Sequence, residues 1–128
     1  MTRFHPLLSR LGDRPLAIAP RALDGLLAAG PSLDARPNML LARDALPAMK
    51  ASYAVTDAGI AVVPILGPLM TRGDWLTTFL GASDYGEIGA AVEAAVADPT
   101  ARAVLLEVDS PGGEVGGIFD LVDLLTAL

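Results

Sequence analysis

The stretch "ARAVLLEVDSPGGEVGG", from Ala101 to Gly117, constrains the fold more than any other part of this chain. Its first half is apolar on both faces, as a strand in a parallel sheet covered on both sides would be. Its second half is a polar turn with two glycine pairs, Gly112–Gly113 and Gly116–Gly117. The stretch "IFDLVDLLTAL" follows and predicts a helix. Upstream, "SDYGEIGAAVEAAVADP" predicts another helix. Ser83 or Asp84 is placed to cap it, and Glu87 lies three residues after Asp84, as a capping box requires. Ile88, Ala91, Val92, Ala95 and Val96 share one face, and Pro99 ends the run. Further upstream, "SYAVTDAGIAVVPILG" splits around the turn signal "TDAG" into a short β-rich piece and a mostly buried strand from Ile60 to Leu66. Strand, helix, strand, helix describes an α/β fold: βαβ units on a mostly parallel sheet, with a right-handed crossover.

The first fifty residues differ in character. "PRALDGLLAAG" predicts a short helix with a proline near its start, leucines on one face and a glycine at its end. "MLLARDALPAM" predicts a second one, broken at Pro47. Neither carries a chemical motif. Residues 1–50 are therefore expected to form a helical docking segment or pro-segment ahead of a domain covering residues 51–128.

Composition excludes several classes. The 128 residues carry a net charge of −6, a poor match for nucleic acid. There is no cysteine, so disulfides, thiolate metal sites and a cysteine nucleophile are ruled out. His5, the sole histidine, lies beside a proline near the N-terminus and reads as a surface or capping residue. The longest apolar run, "GIAVVPILGPLM", is too short to span a bilayer and contains two prolines. The N-terminal residues lack the apolar centre of a secretion signal, so a cytoplasmic protein is expected. Mean hydropathy is +0.49, rich for a soluble domain, which points to surface that partners or further chain would cover.

Glycines where a parallel strand passes to a helix sit where open α/β sheets place their ligands. They let the backbone approach closely and adopt positive φ. Amides near a helix start can hold a phosphate or the negative oxygen of a tetrahedral intermediate. A plain turn with no ligand is the third reading. "GGEVGG" matches neither the P-loop nor the dinucleotide fingerprint. Asp109 and Ser110 are candidate caps for amides in the turn. Ser110 is a poor nucleophile candidate, since a proline follows it and no base is identifiable. Glu107, Asp109 and Glu114 ring the loop as a potential carboxylate set. Tyr53, Trp75, Phe79 and Tyr85 are candidate walls of a peptide groove or, alternatively, core aromatics.

"VLLEVDSPGGEVGGIFDLVDLL" resembles the signature of the serine peptidase family that includes signal peptide peptidase A and the phage head-maturation proteases of the lambda protein C type. "SDYGEIGAAVEAAVADPTARAVLLEV" and "GIAVVPILGPLMTR" are similar to the elements that precede that signature. The resemblance runs from about Ser52 to Leu128, and the N-terminal block looks more like the phage branch. It implies a ClpP/crotonase-like fold and a Ser–Lys dyad that needs no metal or cofactor. It implies a peptide or protein substrate and a homo-oligomer when the protein is complete. Carried over by position, the amide of Gly113 is part of the oxyanion hole and Gly112 shapes the turn.

The family's serine follows the helix after this signature, and its lysine comes later still. Neither has a counterpart at a matching position here, and Lys50 lies ahead of the first strand. The expectation is therefore an N-terminal part of a peptidase domain, cut after its first signature helix and inactive alone. The alternatives are a non-catalytic assembly module, or prophage remnant, that associates with capsid or protease subunits, and an acyl-CoA-binding crotonase relative.

Overall fold

The computed structural model describes residues 14–29, 53–71 and 81–128. Among these residues ten elements follow in order: β1 (Leu16–Ile18), α1 (Pro20–Ala29), β2 (Ala54–Val55), β3 (Ile60–Leu66), β4 (Leu69–Met70), β5 (Ser83–Asp84), α2 (Tyr85–Ala97), β6 (Ala103–Asp109), β7 (Gly112–Glu114) and α3 (Ile118–Ala127). The α/β class stands. The expected helix over 39–49 lies outside the described residues.

The strands form two sheets, one ordered β2–β3–β6 and the other β1–β7–β4–β5. In the first, β3 and β6 run parallel over their full length, from Ile60 beside Ala103 to Leu66 beside Asp109. β2 adds antiparallel through the turn at Gly59, whose amide donates to the Thr56 carbonyl at 2.8 Å. Gly59 has φ +78, which explains a glycine at the end of "TDAG". In the second sheet β4 is parallel to β5 and β7, while β1 is antiparallel to β7. The sheets are thus mixed, not mostly parallel: the antiparallel members are pieces of two and three residues, too short to leave a periodic trace.

Helix α2 packs on one face of the parallel pair. The core comprises Ala61, Val63 and Ile65 of β3, Tyr85, Ile88, Ala91, Val92 and Ala95 of α2, and Leu121 of α3. The valine, isoleucine and leucine side chains among them stabilise a fold by about 1.5–3 kcal/mol each when fully buried. Asp84 caps α2, accepting from the amides of Gly86 at 2.7 Å and Glu87 at 3.1 Å. Val96 departs from the expected face and is 50% exposed.

The expectation that β6 is covered on both sides is corrected. Val104 and Leu106 pack against the core, but Leu105 is 53% exposed. Among the described residues β3 is its one hydrogen-bonded neighbour.

The two long strands cross between the sheets side by side. Gly67–Pro68 links β3 to β4, and Ser110–Pro111 links β6 to β7. The Gly67 amide donates to the Asp109 carbonyl at 2.9 Å, which ties one corner to the other.

Candidate functional site

The segment after β6 is not the open turn that its sequence predicts. Gly112–Glu114 is a strand inserted between β1 and β4, with Ala17 and Leu69 both in register with Gly113. Two features shape it. Ser110 Oγ accepts from the Gly112 amide at 3.2 Å, so the serine, rather than Asp109, caps the turn. Gly112 has φ +100, a conformation that side chains disfavour.

The glycines also permit close approach. A Cβ on Gly112 would lie 2.0 Å from the Ala17 carbonyl oxygen, and one on Gly113 would lie 1.9 Å from that of Leu69. Gly113 is buried. The Ala19 amide donates to the Pro111 carbonyl at 2.9 Å, and the Val115 amide to the Pro15 carbonyl at 3.0 Å. Hydrogen-bonded positions recur at every second residue of an antiparallel ladder. The Ala17–Gly113 pair therefore occupies such a position, and the Gly113 amide faces β1.

Glu114 anchors the surroundings. Its side chain is 1% exposed. One carboxylate oxygen, Oε2, accepts from Arg14 Nη1 at 3.0 Å and from the Thr71 amide at 3.0 Å. Tyr85 donates its hydroxyl to the Glu114 carbonyl at 2.5 Å. Burial raises the Tyr85 phenol above its ordinary pKa, and the Glu114 charge adds to the shift. Thr71 Oγ1 donates to the Gly116 carbonyl, holding the second glycine pair against the end of β4. Gly117, at φ +91, then starts α3.

The three loop carboxylates are thus not one set. Glu107 and Asp109 are exposed on β6, while Glu114 is buried with Arg14. Tyr85 is a core residue, and Tyr53 donates to Asp98 Oδ2 at 2.9 Å, so neither lines a groove. Trp75, Phe79, His5 and Lys50 lie outside the described residues. Arg14 and Thr71 carry no signal in the sequence; Arg14 lies 100 positions from its partner, and no local pattern marks it. Among the described residues, no cluster of three or more histidine, aspartate or glutamate side chains is placed to hold a metal ion.

Two phage proteins are similar to this chain. Capsid assembly protease C of Escherichia phage lambda is 39% identical over 79 residues, 62% of this chain and 18% of that protein. The head-tail preconnector protein GP5 of Enterobacteria phage P21 is 43% identical over 70 residues, 55% of this chain and 14% of that protein. The chain therefore spans less than a fifth of the length of these curated relatives. No family model matches it, and no solved structure does. Among the described residues no helix is long and apolar enough to cross a membrane.

Proposed function

We propose that this chain carries the oxyanion side of a capsid-maturation peptidase, of the serine type with a lysine base and a ClpP/crotonase-like domain. The observation that carries the reading is the 39% identity to capsid assembly protease C over 79 residues. The glycine strand at the carboxyl end of β6 supports it, because that is where α/β sheets place reacting groups.

In this reading a serine outside the matching positions of the chain attacks a peptide carbonyl. A lysine made neutral by desolvation takes the serine proton. The carbonyl oxygen becomes an oxyanion, which the Gly113 amide meets. Gly112 gives the strand its turn, and Glu114, held by Arg14 and Thr71, keeps it in place. One such donor stabilises a transition state by about 3 kcal/mol. The substrate class is capsid or scaffold protein, the site is capsid-associated, and the working form is a homo-oligomer.

A chimera tests this. Residues 53–128 replace the matching segment of the lambda protease, and capsid-protein processing is followed by gel. The chimera is expected to process, and its Gly113→Pro version, which has no amide proton, to lose activity by about 100-fold or more. A soluble, assembled chimera that leaves the capsid protein intact would overturn the reading. The exposed apolar face of β3 and β6 favours a second one, an assembly module without catalysis; such a module would bind capsid protein without cleaving it.

A further inference from the structure

Strand β1 is joined to the fold in an unusual way. Among the described residues, no side chain of β1 or α1 belongs to the core or packs against it. β1 is held by its ladder with β7, by the flanking bonds at Ala19 and Val115, and by the Arg14–Glu114 ion pair. Arg14 is 45% exposed while its carboxylate partner is 1% exposed. The acceptor is built for a visiting backbone: Gly112 and Gly113 have no side chains to hold the strand off, and the residue opposite Gly113 is the small Ala17. Main-chain pairing with a side-chain pocket for selectivity is how a sheet edge takes up an extended peptide.

We propose that β7 is a strand-accepting edge and that residues Arg14–Ala19 are its resident, displaceable occupant. The external ligand is an extended peptide of the same chemistry. It has a basic side chain for Glu114, then, two residues on, an apolar–small–apolar triplet. The consequence for catalysis rests on the protease reading above: with β1 in place the Gly113 amide is committed to the ladder, so the resident strand closes the oxyanion side until a substrate strand replaces it. The exchange itself does not depend on that reading.

The test uses the full chain and a fluorescein-labelled hexapeptide, Arg-Pro-Leu-Ala-Ile-Ala, copied from residues 14–19. Ala17→Pro removes an amide from the β1 ladder. The peptide is expected to bind this variant about tenfold or more tightly than the wild type, since an occupied site lowers apparent affinity by its vacant fraction. Replacing the peptide arginine with glutamate is expected to abolish the gain. Equal binding to both chains, or binding to neither, overturns the proposal. Hydrogen exchange on the wild type needs no variant: the amides of Ala19 and Val115 are expected to exchange about 100-fold faster than those of the β3–β6 ladder. Exchange at the core rate overturns it as well. Neither readout involves hydrolysis, so failure here leaves the protease reading standing, and an inactive chimera leaves strand exchange standing.

Discussion

Gly113 and Gly25 are both glycines inside regular structure, yet their surroundings differ. A Cβ at Gly113 meets the Leu69 carbonyl oxygen at 1.9 Å, whereas at Gly25 it meets nothing within 4 Å. Backbone cannot yield as a side-chain tip can. Gly113→Ala is therefore expected to cost about 1–3 kcal/mol in urea unfolding, as overpacking does. Gly25→Ala, on an exposed turn of α1, is expected to stabilise that helix by about 1 kcal/mol. Tyr85 sets a pH limit on the same region. Its phenol is raised when folded, so the neutral form is favoured in the native state. That contribution is complete below the ordinary tyrosine range and is lost as pH rises through the folded value. Chemical denaturation at rising alkaline pH is expected to show a loss of stability that Tyr85→Phe reduces.

At the scale of elements, what could be read in advance follows from length and repeat. Ile60–Leu66, Ala103–Asp109 and the helices opening at Pro20 and Tyr85 all have several residues in period, and the structure places them where their patterns predict. The cap of α2 was legible too, though the side chain that accepts its amides is that of Asp84, while Ser83 Oγ donates to the Leu66 carbonyl at 2.8 Å. β1, β4, β5 and β7 were not legible. Each has only two or three residues, and each exists because a distant segment lies beside it. For the same reason "PGGE" reads as a turn and folds as a strand, and the role expected of Gly113 and Gly112 rests on resemblance rather than on pattern. A further link joins the start of β2 to the end of α2. Asp98 accepts from Thr100 Oγ1 at 2.6 Å, from the Thr100 amide at 2.8 Å and from Tyr53. These bonds hold its carboxyl below the ordinary aspartate value, those from Thr100 most. Their stabilisation is present above the ordinary range and disappears as pH falls through the folded value. Asp98→Asn is expected to flatten that acid dependence, measured as the urea midpoint against pH.

For the molecule as a whole, β3 buries its α2 side in Ala61, Val63 and Ile65, while the other side of the β3–β6 pair is open. Ile60, Leu66 and Leu105 lie on the uncovered face, at 36%, 48% and 53% exposure, and Phe119 of α3 is 69% exposed. Apolar surface of this kind drives association. The chain alone is expected to scatter light above the monomer value in size-exclusion runs, and Leu105→Glu to lower that signal. It is also expected to resist labelling by a fluorophosphonate, since Ser110 spends its hydroxyl oxygen on the Gly112 amide and is followed by proline; stoichiometric labelling at Ser110 would contradict that. The paired corners at Gly67–Pro68 and Ser110–Pro111 carry one more implication. β3 and β6 leave one sheet together and their continuations enter the next as parallel neighbours, but the register moves from Leu66 beside Asp109 to Leu69 beside Gly113, so the β6 side spends one residue more on its corner than the β3 side. Inserting one residue into either alone slips that strand by one position and turns its outward side chains inward. Evolution is thus tied at these corners in residue type as well as in length: Gly67 sits at φ +67 with the Gly81 carbonyl oxygen 2.2 Å from where a Cβ would stand, Ser110 holds the Gly112 amide, and lengthening one corner calls for lengthening the other.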